Sequence, residues 1–316
     1  HGLTWSYTLM RNALQGAGLV RKRRPRGKHR LRREPRPCFG ELLHIDGSRH
    51  RWLALRPEEY QHLIVVLDDA TKRILYAQLE PSEASHAVMV ALGAVIARHG
   101  IPAALYSDLA SWAAHTPRKG EPVDKKALTQ VGRALRRLGI EHILGYSPQA
   151  RGRSERANRT LQDRLVNELR TARIATPDTA NRYLEEEFIP DYNAEFARAA
   201  TDPESACVPL GSADLNLILC HEEERTVGKD NTVTLDGVRL QIAKQPARLT
   251  CAGLRVTIRR HLDGTHTVSA GTRALGRFDA RGRTFTPSPP ATPSTSESCT
   301  SPIVALRATS EAVSMS

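Results

Sequence analysis

His62-Leu63-Ile64-Val65-Val66-Leu67-Asp68-Asp69-Ala70-Thr71-Lys72-Arg73-Ile74-Leu75-Tyr76-Ala77-Gln78-Leu79 holds two apolar runs separated by five mostly polar residues. Strand-forming residues at 62–67 and 73–79, with Asp68–Lys72 between them, predict an antiparallel hairpin. Working upstream, Glu41–Asp46 predicts a strand ending in Asp46-Gly47. Working downstream, Ser82–His99 has helical spacing and meets a stop at Gly100-Ile101-Pro102. A short apolar strand, Ala103–Ser107, ends at Asp108, and residues 111–126 form an irregular loop. Leu128–Leu138 has helical spacing and Glu141–Tyr146 strand character. A turn at Ser147–Gly152 leads into helical patterns at Ser154–Thr171 and Asp178–Ala199. Residues 37–200 therefore predict one mixed α/β domain, with order β-β-β-α-β-α-β-α-α.

The rest of the chain has other textures. Residues 4–17 predict a short helix opened by Thr4 or Ser6, with Tyr7, Met10, Leu14 and Ala17 on one face. A lone helix of that length is marginal in water, so it needs a partner, expected upstream of His1. Residues 21–36 hold ten Lys/Arg and one Glu, +9 of the chain's net +12, and read as an extended basic linker suited to a polyanion. A solvated linker or localisation tag has the same composition. Short β-rich runs within 222–275, separated by Asp236-Gly237 and Asp263-Gly264, predict a small all-β barrel of about five strands. The Pro/Ser/Thr-rich residues 284–316 predict a disordered tail.

The 316 residues are 40% hydrophobic, enough for two domains and a small third. No apolar run reaches the ~18–20 residues of a membrane span, and no signal peptide is visible. The longest apolar stretch, Ala87–Ala97, reads as a buried helix. A start at His1 instead of Met leads one to expect a fragment of a longer protein. Cys38, Cys207, Cys220, Cys251 and Cys299 never form a C-x-x-C pair, which argues against a disulfide framework or structural zinc and fits a reducing cytosol.

Three acids are placed where chemistry could use them. Asp46 and Asp108 each end a strand, and Glu155 opens a helix. Carboxylates gathered at strand ends repel one another, and a hard divalent cation such as Mg²⁺ relieves that repulsion. Two such ions suit phosphodiester chemistry. Taken singly, each acid also fits a turn former or helix cap. Asp68 and Asp69 are rival acids, but a hairpin turn favours Asp for backbone reasons. Trp5, Trp52 and Trp112 read as packing residues, and His44, on the same strand face as Asp46, is not expected to bind metal.

Ile45-Asp46-Gly47, Val66-Leu67-Asp68-Asp69-Ala70-Thr71, Leu105-Tyr106-Ser107-Asp108 and Ser147-Pro148-Gln149-Ala150-Arg151-Gly152-Arg153-Ser154-Glu155-Arg156-Ala157-Asn158 carry a more specific signal. Together they resemble the integrase catalytic core, the DDE domain of insertion-sequence transposases and retroviral integrases, most closely of ISNCY-type transposases. The resemblance covers most of residues 1–275, though Leu109-Ala110 stands where relatives tend to carry a polar or basic pair. It implies an RNase H-like α/β fold, with a mixed five-stranded sheet and flanking helices. It also implies that residues 1–20 are the remnant of a helix-turn-helix domain and that Asp46, Asp108 and Glu155 form the catalytic, metal-binding triad.

The implied activity is Mg²⁺-dependent cleavage at element ends and strand transfer into target DNA, with two ions and Mn²⁺ able to substitute. Its partners are the terminal inverted repeats, target DNA and further copies of the chain. Its place is the bacterial cytoplasm, at the nucleoid. Arg21, Lys22, Arg23, Arg24, Arg26, Lys28 and Arg30 of the linker are expected to lie along DNA. Arg151, Arg153, Arg156, Asn158, Arg159 and Gln162 around Glu155 are expected to do the same near the scissile bond. Two other readings stay open: a catalytically inactive DNA-binding relic, and an RNase H-like nuclease without strand transfer.

Overall fold

The computed structural model describes residues 6–20, 34–115, 127–145, 154–246 and 248–285, with the backbone alone at 154–157. In chain order the elements are α1 (Tyr7–Gly16), β1 (Cys38–Phe39), β2 (Leu43–His50), β3 (Gln61–Asp68), β4 (Ile74–Glu80), α2 (Ser85–His99) and β5 (Ala104–Ser107). Then come α3 (Gln130–Leu138), β6 (Glu141–Leu144), α4 (Ser154–Thr171), α5 (Pro177–Tyr183), a π-helical turn (Leu184–Phe188), α6 (Ile189–Phe196) and β7 (Asp202–Ser205). The C-terminal part holds α7 (Leu215–Ile218), β8 (His221–Thr226), β9 (Thr232–Leu235), β10 (Val238–Gln241), β11 (Arg255–Arg260), β12 (His266–Ala270) and β13 (Arg273–Phe278).

β3 explains the architecture. Its apolar run does not alternate with polar residues, because helices cover both faces of the sheet. Leu63, Val65 and Leu67 pack with Leu161, Leu165 and Leu169 of α4, together with Ala180, Leu184 and Phe188. Ile64 and Val66 point the other way, into a second core with Val88, Leu92 and Val95 of α2 and Val131, Ala134 and Leu135 of α3. The sheet order is β4-β3-β2-β5-β6. β2 pairs antiparallel with β3, and β3 with β4, whereas β2–β5 and β5–β6 are parallel. A mixed five-stranded sheet with helices on both faces fits an RNase H-like α/β fold.

The turn acids are structural. Asp68, fully buried, accepts from Gly40 N (3.0 Å), Thr71 N (2.8 Å) and Thr71 Oγ1 (2.6 Å). Asp69 pairs with His44 Nε2 at 2.9 Å and accepts from Arg36 N at 2.8 Å. The hairpin turn thus fastens the segment leading into the domain. Trp52 is a packing residue, fully buried, with its Nε1 donating to the Ser48 carbonyl at 2.9 Å.

Several boundaries differ from the sequence expectations. β2 does not end at Asp46 but runs on to His50, because β3 stays paired with it through His50↔Gln61. The helix expected over 178–199 is divided by the π-helical turn. β1 and β7 pair in parallel and were not foreseen, being too short to show a period. The C-terminal part has six strands, extends past residue 275, and is hydrogen-bonded as a four-stranded sheet, β13-β12-β11-β8, plus the β9–β10 hairpin. Both share one core around Val233, Leu240, Ile258 and Phe278. Among the described residues it is therefore two sheets rather than one closed ladder. α1 starts at its Ser6 cap and has no buried residue.

The C-terminal sheets are fastened to the core. Ile218 and Leu219 join the α2–α3 cluster. Glu222 meets Arg133 (3.3 Å), Arg137 (2.9 Å) and its cross-strand neighbour Arg259 (2.8 Å). Gln130 also exchanges two hydrogen bonds with the Glu222 backbone, at 2.8 and 3.0 Å.

Candidate active site

β2 is where the sheet changes direction of growth. The chain leaves it for β3 and β4 on one side and returns through α2 to β5 on the other, the kind of switch point at which open α/β sheets leave a crevice. β2 and β5 are in register at Leu43↔Leu105 and His44↔Tyr106. Two residues further along each chain lie Asp46 and Asp108, just beyond the last residue pair of the β2–β5 ladder. β5 has ended by then, and both acids are half-buried. Asp108 is also fixed by its own turn, since Ala110 N donates to its Oδ1 at 2.9 Å.

Asp46 is cross-strand from Val65, so it faces the layer that contains α4. Leu161, Leu165 and Leu169, spaced by four residues and fully buried, fix the rotation of that helix. Asn158 Nδ2 then donates to Asp46 Oδ2 at 2.8 Å, and Gln162 Nε2 to Ser48 Oγ at 3.0 Å. Two residues of β2 match four of α4, as their rises of ~3.3 and ~1.5 Å per residue require. Glu155 sits three residues before Asn158, one turn back on the same helix face.

The side chains of Glu155 and Arg156 lie outside the described residues, as do Arg151, Arg153, Ser147–Gly152 and the basic residues Arg21, Lys22, Arg23, Arg24, Arg26, Lys28 and Arg30. Arg159 is exposed. Of the expected DNA contacts near Glu155, Asn158 and Gln162 are turned onto β2. Among the described residues no group of three His, Cys, Asp or Glu is placed to hold a metal ion. Asp46 and Asp108 are half-buried and carry carboxylate oxygens, the donor type that a hard divalent ion takes.

The sequence reading missed a fourth acid. Glu83, in the link between β4 and α2, accepts from Trp112 Nε1 at 2.8 Å. Its carboxyl covers Gly47: a Cβ added there would stand 2.2 Å from Glu83 Oε2. Burial pushes the Glu83 carboxyl above its ordinary range; the Trp112 bond opposes this, and the charge of Asp108 adds to it. Once β2 is known to run on to His50, Gly47 marks a close approach, as a glycine inside a strand does, but it does not name Glu83 as the neighbour. Beside it, His142 Nε2 lies 2.9 Å from Ser107 Oγ, which in turn donates to the Asp108 carbonyl at 3.0 Å.

With this geometry in view, the chain's likeness to known proteins has a place to attach. It is 35% identical over 265 residues to "Putative transposase y4bF" of Sinorhizobium fredii, a match over 83% of this chain and 57% of that protein. It is 34% identical over 194 residues to the transposase for insertion sequence IS1202 of Streptococcus pneumoniae, over 61% of this chain and 41% of that one. The chain is a relative of the insertion-sequence transposases.

This transposase relative spans about half the length of those two proteins. No family model matches it. Among solved structures, the simian T-cell lymphotropic virus intasome in complex with PP2A regulatory subunit B56 gamma aligns with a TM-score of 0.41 at 15% identity, covering 90% of this chain and 93% of that one. The HTLV-2 integrase catalytic core domain in complex with magnesium, dimeric form, aligns with 0.34 at 16% identity, over 46% and 83%. Those scores are too low to bear on the fold, which rests on the strand order of the transposase relative itself. No helix among its described residues is long and apolar enough to cross a membrane.

Proposed function

We propose that the chain carries the catalytic core of a DDE transposase, a polynucleotidyl transferase that cleaves DNA at element ends and joins the freed 3′-OH to target DNA. Asp46, Asp108 and Glu155 are its metal-binding triad. When bound, two Mg²⁺ ions (or Mn²⁺) supply activation of the attacking oxygen and stabilisation of the leaving one. The observation that carries this reading is the Asn158–Asp46 hydrogen bond at 2.8 Å. It ties the first turns of α4 to β2, which carries Asp46 and pairs in parallel with β5, the strand that leads to Asp108.

In this reading the chain's own residues divide the work. Asp46 and Asp108 present fixed oxygens from rigid elements, and Asn158 holds Asp46 in one rotamer. The basic residues 21–36, with Arg151, Arg153, Arg156 and Arg159, take up phosphates in a sequence-independent, salt-sensitive way. Terminal inverted repeats, target DNA and further copies of the chain are the proposed partners, and the bacterial nucleoid the proposed place.

The test is incubation with DNA carrying the sequences that flank the gene, with and without Mg²⁺. Metal-dependent nicking followed by strand joining, lost in Asp46→Asn, Asp108→Asn and Glu155→Gln, is the expected result. Nicking without joining would favour a simple nuclease. DNA binding with no nicking, equal in parent and variants, would favour an inactive relic.

A further inference from the structure

We infer that Glu83 is a positioning residue for the candidate metal pair, a brace clamped by Trp112 that holds the Asp108 turn against β2. The inference rests on the reading of Asp46 and Asp108 as metal ligands.

One carboxyl group touches both acid-bearing segments. On one side it lies on the backbone of Gly47, the residue after Asp46, so closely that no side chain fits between them. On the other it accepts the indole N–H of Trp112, four residues past Asp108, at 2.8 Å. Trp112 is buried and stacked on His142, with ring centroids 6.3 Å apart and planes at 14°. His142 shares a hydrogen bond with Ser107, the residue before Asp108. The segment 107–112 is therefore held at both ends, by His142 at Ser107 and by Glu83 at Trp112. Asp108 sits between the two fixed points.

The faces of the sheet separate this role from that of a ligand. Successive strand residues point to opposite sides. Gly47 is cross-strand from Ile64, which belongs to the α2 layer, whereas Asp46 is cross-strand from Val65 on the α4 side. Glu83 thus stands behind β2 as seen from Asp46. What it supplies there is an acceptor for Trp112 and bulk against Gly47, and both fix the gap between β2 at Gly47 and the segment that follows β5. A Gln side chain has the same acceptor and the same size; an Ala has neither.

Calorimetric titration of the full chain with Mn²⁺ tests this, each variant being read below its own melting transition. The parent binds Mn²⁺, and Asp46→Asn abolishes binding. Glu83→Ala and Trp112→Phe each weaken binding at least fivefold, while Glu83→Gln stays within about twofold of the parent. Gly47→Ala pushes the carboxyl off its seat without altering it and weakens binding by a similar factor to Glu83→Ala. Parent-like affinity in both Glu83→Ala and Gly47→Ala would overturn the brace. So would a Glu83→Gln as weak as Glu83→Ala, since that result assigns the effect to charge. A parent that fails to bind Mn²⁺, or an Asp46→Asn that binds like the parent, would instead overturn the metal reading, and the brace with it.

Discussion

Asn158 commits its amide to Asp46, so in the proposed reading that carboxylate is oriented in advance of the cation. A hydrogen bond to a charged group contributes about 1.5–3 kcal/mol. Asn158→Ala is therefore expected to slow Mg²⁺-dependent nicking roughly tenfold or more, with the circular dichroism spectrum unchanged. Asn158→Asp should be worse, because it sets a second negative charge against Asp46. Asp68 belongs to a different class of acid. Its removal strands three donors in the interior, Gly40 N, Thr71 N and Thr71 Oγ1. Asp68→Ala should cost about 3 kcal/mol or more in urea denaturation, whereas Asp46→Asn leaves the urea midpoint nearly where it was. Sequence reasoning set Asp68 and Asp69 apart because a hairpin turn favours Asp for backbone reasons, and both side chains are hydrogen-bonded there. It could not see Glu83, whose partners Gly47 and Trp112 are distant in the chain.

At the scale of elements, α4 is the part on which the site depends. Leu161, Leu165 and Leu169 anchor its rotation, and a buried Leu→Ala change costs 2–5 kcal/mol. Leu165→Ala should lower stability by about 3 kcal/mol, read as a shifted urea midpoint, and reduce nicking by more than the unfolded fraction explains. The order of strands and helices through 41–199 was legible because apolar runs, helical spacing and glycine or proline stops agree there. Three things were not. β1 and β7 are short pairings made by chain geometry rather than by a hydrophobic period. The π-helical turn keeps Leu184 and Phe188 four apart and buried, a spacing an ordinary helix would show as well. The division of the C-terminal strands into two sheets depends on register between segments, which strand propensity does not contain.

For the whole molecule, Glu222 is the joint between the α/β domain and the C-terminal sheets, meeting three arginines and Gln130. Glu222→Ala leaves Arg133 and Arg259, both largely buried, without this partner. The change is expected to lower stability by about 2 kcal/mol and to open residues 206–220 to limited proteolysis. Proton linkage also acts at this scale. Burial holds His99, His142, His221 and His266 below the ordinary value of 6.5. Below about pH 6.5 the unfolded chain takes up protons that these wholly or partly buried imidazoles refuse, so their contribution is complete above that pH and is lost as pH falls. Glu80 and Glu83, raised by burial, act in the opposite sense above 4.5. His142→Asn isolates one imidazole: its melting temperature should decline less than the parent's between pH 7.5 and 5.5.

β3 sends alternate side chains into two separate hydrophobic interiors. Neither helical layer can then be trimmed away without baring a greasy sheet face. A truncation ending before α4 would leave Leu63, Val65 and Leu67 uncovered and should yield insoluble protein. The two halves should therefore share one fate, melting in a single calorimetric transition, and a shortened fragment must keep both.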